Sequence, residues 1–183
     1  RKNSILDMNA TCFLSQDTRV PHLIVVFGTV PKMFFYADYC PRSDIRVDEE
    51  YLKRYYEPPK DDYLKLRSDP RFTWSVSHGT YMRAMLSPVC SSYTAELNSD
   101  VMDTLEAYTA KFVDRWFNWL DAAEPVPESE RAAQQKYDYK VRELGYRLDP
   151  MNVLAEKVFG TEEVGNMLSK RMGEEQMAAT RRF

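Results

Sequence analysis

"VPHLIVVFGTVPKMFFYADYCPR", residues 20–42, decides the fold of this chain. It holds two apolar runs, split by a connection containing Gly28 and Pro31, with one carboxylate, Asp38, set late in the second. Both runs have the length of strands and are apolar at successive positions, which predicts a sheet covered on both sides; a half-solvated strand would alternate apolar with polar. Upstream, "SILDMNATCFLS" (4–15) mixes β-branched and apolar residues, and "QDTRVP" after it carries Asp and Pro as turn formers. Three consecutive strands on short links read most simply as an antiparallel meander.

Beyond "PRSD" the pattern becomes helical. In "VDEEYLKRYYE", Asp48 can cap a short helix with Tyr51, Leu52, Tyr55 and Tyr56 on its apolar side, stopped by Pro58 and Pro59. A loop is expected from Lys60 to Thr80, and "YMRAMLSP" (81–88) reads as a short strand. From 98 to 121 Val101, Leu105, Tyr108, Phe112 and Trp116 form a stripe at helical spacing behind the caps Asn98 and Ser99. Pro127 opens a more polar helix, expected to end near Gly145. Met151, Leu154, Ala155, Val158 and Phe159 mark another helix, then Thr161 caps a final turn or two, and the polar tail 173–183 is expected to fray. Strands first and long helices afterwards predict an α/β fold, an α/β/α sandwich with a mainly antiparallel central sheet flanked by helices.

Composition bounds the function. The 183 residues, 44% hydrophobic and 13% aromatic, suffice for one core and predict a single domain, 1–183. A net charge of -3 and no basic tract longer than the closing "TRRF" argue against a nucleic-acid partner. Cys12, Cys40 and Cys90 are odd in number and widely spaced, which indicates neither a disulfide framework nor a metal site and suits a reducing compartment. No stretch approaches the about 20 apolar residues that cross a bilayer. The sequence opens on Arg1, as expected if a targeting segment has been removed or the chain starts inside a longer one.

Phosphate-loop, dinucleotide, zinc-protease and esterase signatures are all absent, and His22 and His78 are too few for a multi-histidine metal centre. Chemistry is left to carboxylates, Arg, one His or a bound cofactor. Asp38 shares a strand face with Phe34, Tyr36 and Cys40, where burial would raise its pKa and make it a proton donor. The alternative is a partly wet carboxylate that starts the turn into "CPRSD". Arg83 is suited to gripping a carboxylate or propionate, or to pairing structurally with Asp38. His78 titrates near neutrality, or is simply a solvated loop residue.

The order of "FLSQDTRVPH", "YADYCPRSD", "YLKRYYE", "MRAMLSP" and "VFGTEEV" resembles red chlorophyll catabolite reductases, relatives of the ferredoxin-dependent bilin reductases, over nearly the whole chain. The collinearity is specific; no single motif is. The resemblance implies an open-chain tetrapyrrole held between sheet and C-terminal helices, with no tightly bound cofactor. Electrons would come singly from reduced ferredoxin, and protons from Asp38 and from an acid at Asp149, with Asn152 the alternative register. Tyr36, His78, Arg83, Ser87 and Asn152 would contact the substrate, Arg83 and Ser87 matching an Arg-x-x-x-Ser-Pro motif. It also implies a plastid location, in the stroma or at the stromal face of the thylakoid, without a transmembrane segment. Two departures stand out. The family's strand Glu falls in Leu23–Phe27, with Val26 its best counterpart, and an earlier strand has no counterpart. Loss of the Glu favours a second reading, a catalytically inactive pigment-binding or structural subunit docked to a photosynthetic membrane complex, whereas retention of Asp38, Arg83 and an acid near 149 favours the enzyme.

Overall fold

The computed structural model describes residues 6–29, 32–77 and 79–173. The three expected strands are β1 (Asp7–Cys12), β2 (His22–Gly28) and β3 (Met33–Cys40), paired as an antiparallel meander. Register puts Leu23 opposite Tyr39, Val25 opposite Ala37 and Phe27 opposite Phe35 on one face, and Ile24 opposite Asp38 and Val26 opposite Tyr36 on the other. At Gly28 a Cβ would stand 3.0 Å from the Phe34 ring, so a larger residue there would push that ring aside.

Two more strands, β4 (Thr73–Trp74) and β5 (Ser91–Ala95), complete a five-stranded antiparallel sheet in the order β1-β2-β3-β5-β4. Neither is expected from the sequence. The strand expected at 81–88 is instead helix α3 (Thr80–Ala84). Met, Arg and Ala favour helix, nothing in the run is β-branched, and Gly79 starts it from extended backbone.

Helix α1 (Glu49–Tyr56) forms as expected, its N-cap Asp48 accepting the Tyr51 N–H at 3.0 Å. The loop expected after the proline pair begins instead with α2 (Lys60–Ser68). Pro59 ends one helix and, with φ already near helical, opens the next. Asp61 and Asp62 in the first turn and Lys65 and Arg67 in the last complement the helix dipole. Helix α4 (Ser99–Asp121) matches the stripe, and Asn98 caps it through the Val101 N–H. Its buried Val101, Leu105, Phe112 and Trp116 lie on the Phe35–Tyr39 face of the sheet, with α1 and α2 beside it.

Helix α5 (Glu128–Arg147) runs through Gly145 where an end was expected. A Cβ there would lie 3.3 Å from the Met85 sulfur, so this glycine serves close packing and not helix termination. Helix α6 (Asn152–Phe159) stops at Gly160 with φ 85°, and α7 (Thr161–Met172), longer than the turn or two expected, stops at Gly173 with φ 78°. The tail beyond Gly173 lies outside the described residues. Packing separates the chain into two compact units: Arg1–Val76 with Leu86–Glu128, and Ser77–Met85 with Ser129–Phe183.

The first unit's core is aromatic. Tyr39 stacks on Phe112 with centroids 3.7 Å apart, meets the Trp119 edge, and donates its hydroxyl to the Phe112 carbonyl at 2.7 Å. Arg42, which with Arg46, Lys53 and Arg54 would make either a basic docking patch for ferredoxin or simply solvated charge, is only 2% exposed. Its guanidinium donates to the Ser15 carbonyl at 2.7 Å and the Val20 carbonyl at 3.4 Å, while its backbone N–H donates to the Tyr51 hydroxyl. A docking face cannot include it. Arg42→Met should therefore lower stability by about 3 kcal/mol, read from the urea midpoint, because two inward carbonyls lose a charged donor. A midpoint shift of a few tenths of a kcal/mol would show that these bonds are dispensable.

Candidate functional site

Asp38 lies on the β3 face opposite the aromatic core and is 0% exposed. Strand alternation brings Tyr36 to the same face two residues earlier, and its hydroxyl donates to Asp38 Oδ2 at 3.2 Å. A second donor to Oδ2, also at 3.2 Å, is the backbone N–H of Ser87. Ser87 and Pro88 build the turn that aims it: the Ser87 carbonyl accepts from Cys90 N, and its hydroxyl oxygen accepts from Val89 N. Asp38 Oδ1 has no hydrogen-bond partner among the described residues.

Burial raises the Asp38 carboxyl from 3.8 to about 6, opposed by hydrogen bonds from Ser87, Tyr36 and the Tyr39 backbone. No cation contributes to that balance. The wet, strand-end alternative for Asp38 is thereby excluded. Burial, reinforced by the Asp38 charge, also pushes the Tyr36 hydroxyl and the Cys40 and Cys90 thiols well up, so all three stay protonated at neutral pH. The result is an enclosed cluster of one acid, one phenol and two thiols. Cys90 escapes sequence reading, since only the β3–β5 pairing, with Ala37 opposite Ser91, carries it to Asp38. Among the described residues no group of three His, Cys, Asp or Glu side chains could hold a metal ion. No described helix is long and apolar enough to cross a membrane.

Of the other residues singled out from the sequence, Arg83, Asp149 and Asn152 belong to the second unit. Arg83 is exposed in the last turn of α3. Asp149 and Asn152 meet at the α5–α6 turn, where Asp149 Oδ1 accepts the Met151 N–H at 2.9 Å and Asn152 Nδ2 donates to the Tyr146 carbonyl at 2.7 Å. His78 lies outside the described residues. Val26 faces Tyr36 directly across β2 and β3, on the Asp38 side of the sheet, so β2 brings no carboxyl there.

An antiparallel sheet flanked by helices is an α/β fold similar to that of a bilin reductase. Phytochromobilin synthase from tomato, solved in complex with biliverdin, superposes with a TM-score of 0.78 at 16% identity. The match covers 93% of this chain and 61% of the tomato chain, and at that identity it speaks for the fold. Residues 3–171 match the red chlorophyll catabolite reductase (RCC reductase) family, to which this chain belongs. Red chlorophyll catabolite reductase of Hordeum vulgare is 26% identical over 170 residues, 86% of this chain and 82% of that protein.

Proposed function

We propose that the chain reduces an open-chain tetrapyrrole, red chlorophyll catabolite or a close relative, with electrons from reduced ferredoxin and protons from its own carboxyls. Asp38 carries this reading. It is fully buried, has no cation among the described groups that act on it, is poised at about 6, and keeps one oxygen without a hydrogen-bond partner among the described residues. Such a group suits a ligand that takes up protons as it takes up electrons. Saturating one double bond consumes two electrons and two protons, with Asp38 giving the first proton and Asp149 the second. Arg83 would grip a propionate, and Tyr36, His78, Ser87 and Asn152 would line the ligand. The family and the tomato protein's biliverdin complex support the substrate class. A plastid stroma, where ferredoxin and chlorophyll breakdown products meet, is the proposed location.

The test is anaerobic incubation with reduced ferredoxin and either red chlorophyll catabolite or biliverdin. Loss of the pigment's long-wavelength absorption is expected; binding without spectral change would sink the catalytic reading. Asp149→Asn should slow reduction by about a hundredfold. The amide oxygen still accepts the Met151 N–H, so the turn survives, and an unchanged rate would remove Asp149 from the reaction.

A second reading, a pigment-binding or structural subunit of a photosynthetic complex, is favoured by Val26 and Ile24, the apolar pair that β2 sets opposite Tyr36 and Asp38. Isolation of the native protein as part of a large chlorophyll–protein assembly would support it.

A further inference from the structure

Resting on Asp38 as proton donor, we propose that Tyr36 is a positioning residue: its hydroxyl, together with the Ser87 backbone N–H, pins Asp38 Oδ2 and leaves Oδ1 as the oxygen that carries the exchangeable proton. The Tyr36 hydroxyl and the Ser87 N–H converge on one oxygen, each at 3.2 Å, and the other oxygen has no hydrogen-bond partner by geometry among the described residues. An oxygen that already accepts two hydrogen bonds is a poor seat for the acid's own proton, which therefore sits on Oδ1. Turning the protonated carboxyl over would set its hydroxyl oxygen, a poorer acceptor than the carbonyl oxygen, against the Tyr36 and Ser87 donors. The Ser87 donor is fixed by its turn, whereas the Tyr36 donor is a side chain and can be removed alone.

The polar groups that act on Asp38 or feel its charge include Tyr36, the Tyr39 backbone and Cys40 on β3, Ser87 and Cys90 in the turn before β5, and Tyr108 on α4. β2 offers Ile24 directly opposite. None of these is a cation, so no ion pair competes to orient the carboxyl. Tyr36 thus both selects the proton-bearing oxygen and opposes the effect of burial, because its hydrogen bond favours the ionised form.

The test is a pH titration of the ligand-free protein by difference infrared spectroscopy, following the protonated Asp38 carbonyl stretch, which Asp38→Asn identifies by losing it. Tyr36→Phe should raise the midpoint by about one pH unit, since the ionised form loses a donor. Replacing Tyr36 with a fluorinated tyrosine, whose more acidic hydroxyl is a stronger donor of the same shape, should lower it. Midpoints that stay put, or that move together in one direction, overturn the inference whatever the turnover. The pH profile of pigment reduction in Tyr36→Phe should follow its infrared midpoint. A profile that stays fixed while the midpoint moves removes Asp38 from the donor role and leaves the inference about Tyr36 standing.

Discussion

Asp38→Asn should abolish pigment reduction, by at least about a hundredfold, and at the same time make the protein more stable at neutral pH. The two effects share one cause. Burial lifts the carboxyl from 3.8 to about 6, so between those values the folded protein holds a proton that the unfolded chain has released. Stability therefore falls as pH rises from about 4 to about 6 and stays at the lower level above that. A shift of about 2 units corresponds to about 3 kcal/mol. An uncharged amide of the same shape escapes this penalty and still accepts from Tyr36 and Ser87. The variant should thus gain up to about 3 kcal/mol at pH 8, with no gain below pH 4. Pigment affinity should be retained, since the shape of the site is unchanged. Parallel pH slopes in urea unfolding of the two proteins would show that Asp38 is not a buried titrating acid, and unchanged turnover would end its role as donor.

Phe112→Ala should cost about 3–5 kcal/mol, roughly 10 °C in melting temperature. Phe112 is 1% exposed, stacks on Tyr39 and packs beside Tyr108, so truncation removes a ring from the middle of three and leaves a cavity that the sheet cannot close. Phe117, on the same helix, is 53% exposed, and its truncation should cost under about 1 kcal/mol. Equal shifts in the two variants would mean that the stack between α4 and β3 does not hold the unit together. Loss of that stack would also disturb the site, because Tyr39 is the next residue after Asp38.

Sequence reading succeeds where a signal is long or locally closed. The stripe from Val101 to Trp116 repeats over about four turns behind an Asn98 cap, and Asp48 announces α1 in the same way. β2 and β3 are legible as apolar runs bracketed by turn residues. β5 is not: "SSYTA" carries no alternation of its own and becomes a strand by pairing with β3 and β4. At α2 the proline pair both ends one helix and begins the next, which a stop signal alone does not convey, and α3 is too short to show a period. In the site, alternation along β3 suffices to place Tyr36 beside Asp38. Cys90 and the Ser87 N–H arrive through a long-range strand pairing and a turn, which no local pattern reports. Asp149 and Asn152 show the converse difficulty, since a polar residue that bonds backbone groups in a turn looks the same in one dimension as one that meets a ligand.

The second unit takes nine residues, Ser77–Met85, from between two pieces of the first. Gly79 packs beside Pro150 and Met85 beside Gly145, so this short piece finds its neighbours only in the last third of the chain. During synthesis it leaves the ribosome well before them and must wait while all of α4 and most of α5 are made. The polypeptide threads from one unit to the other three times, at 76–77, 85–86 and 128–129. A single cleavage at 128–129 therefore keeps the first unit whole but strips the second of its Ser77–Met85 piece, and recombination between relatives divides both units only where the crossover falls between Ser77 and Glu128.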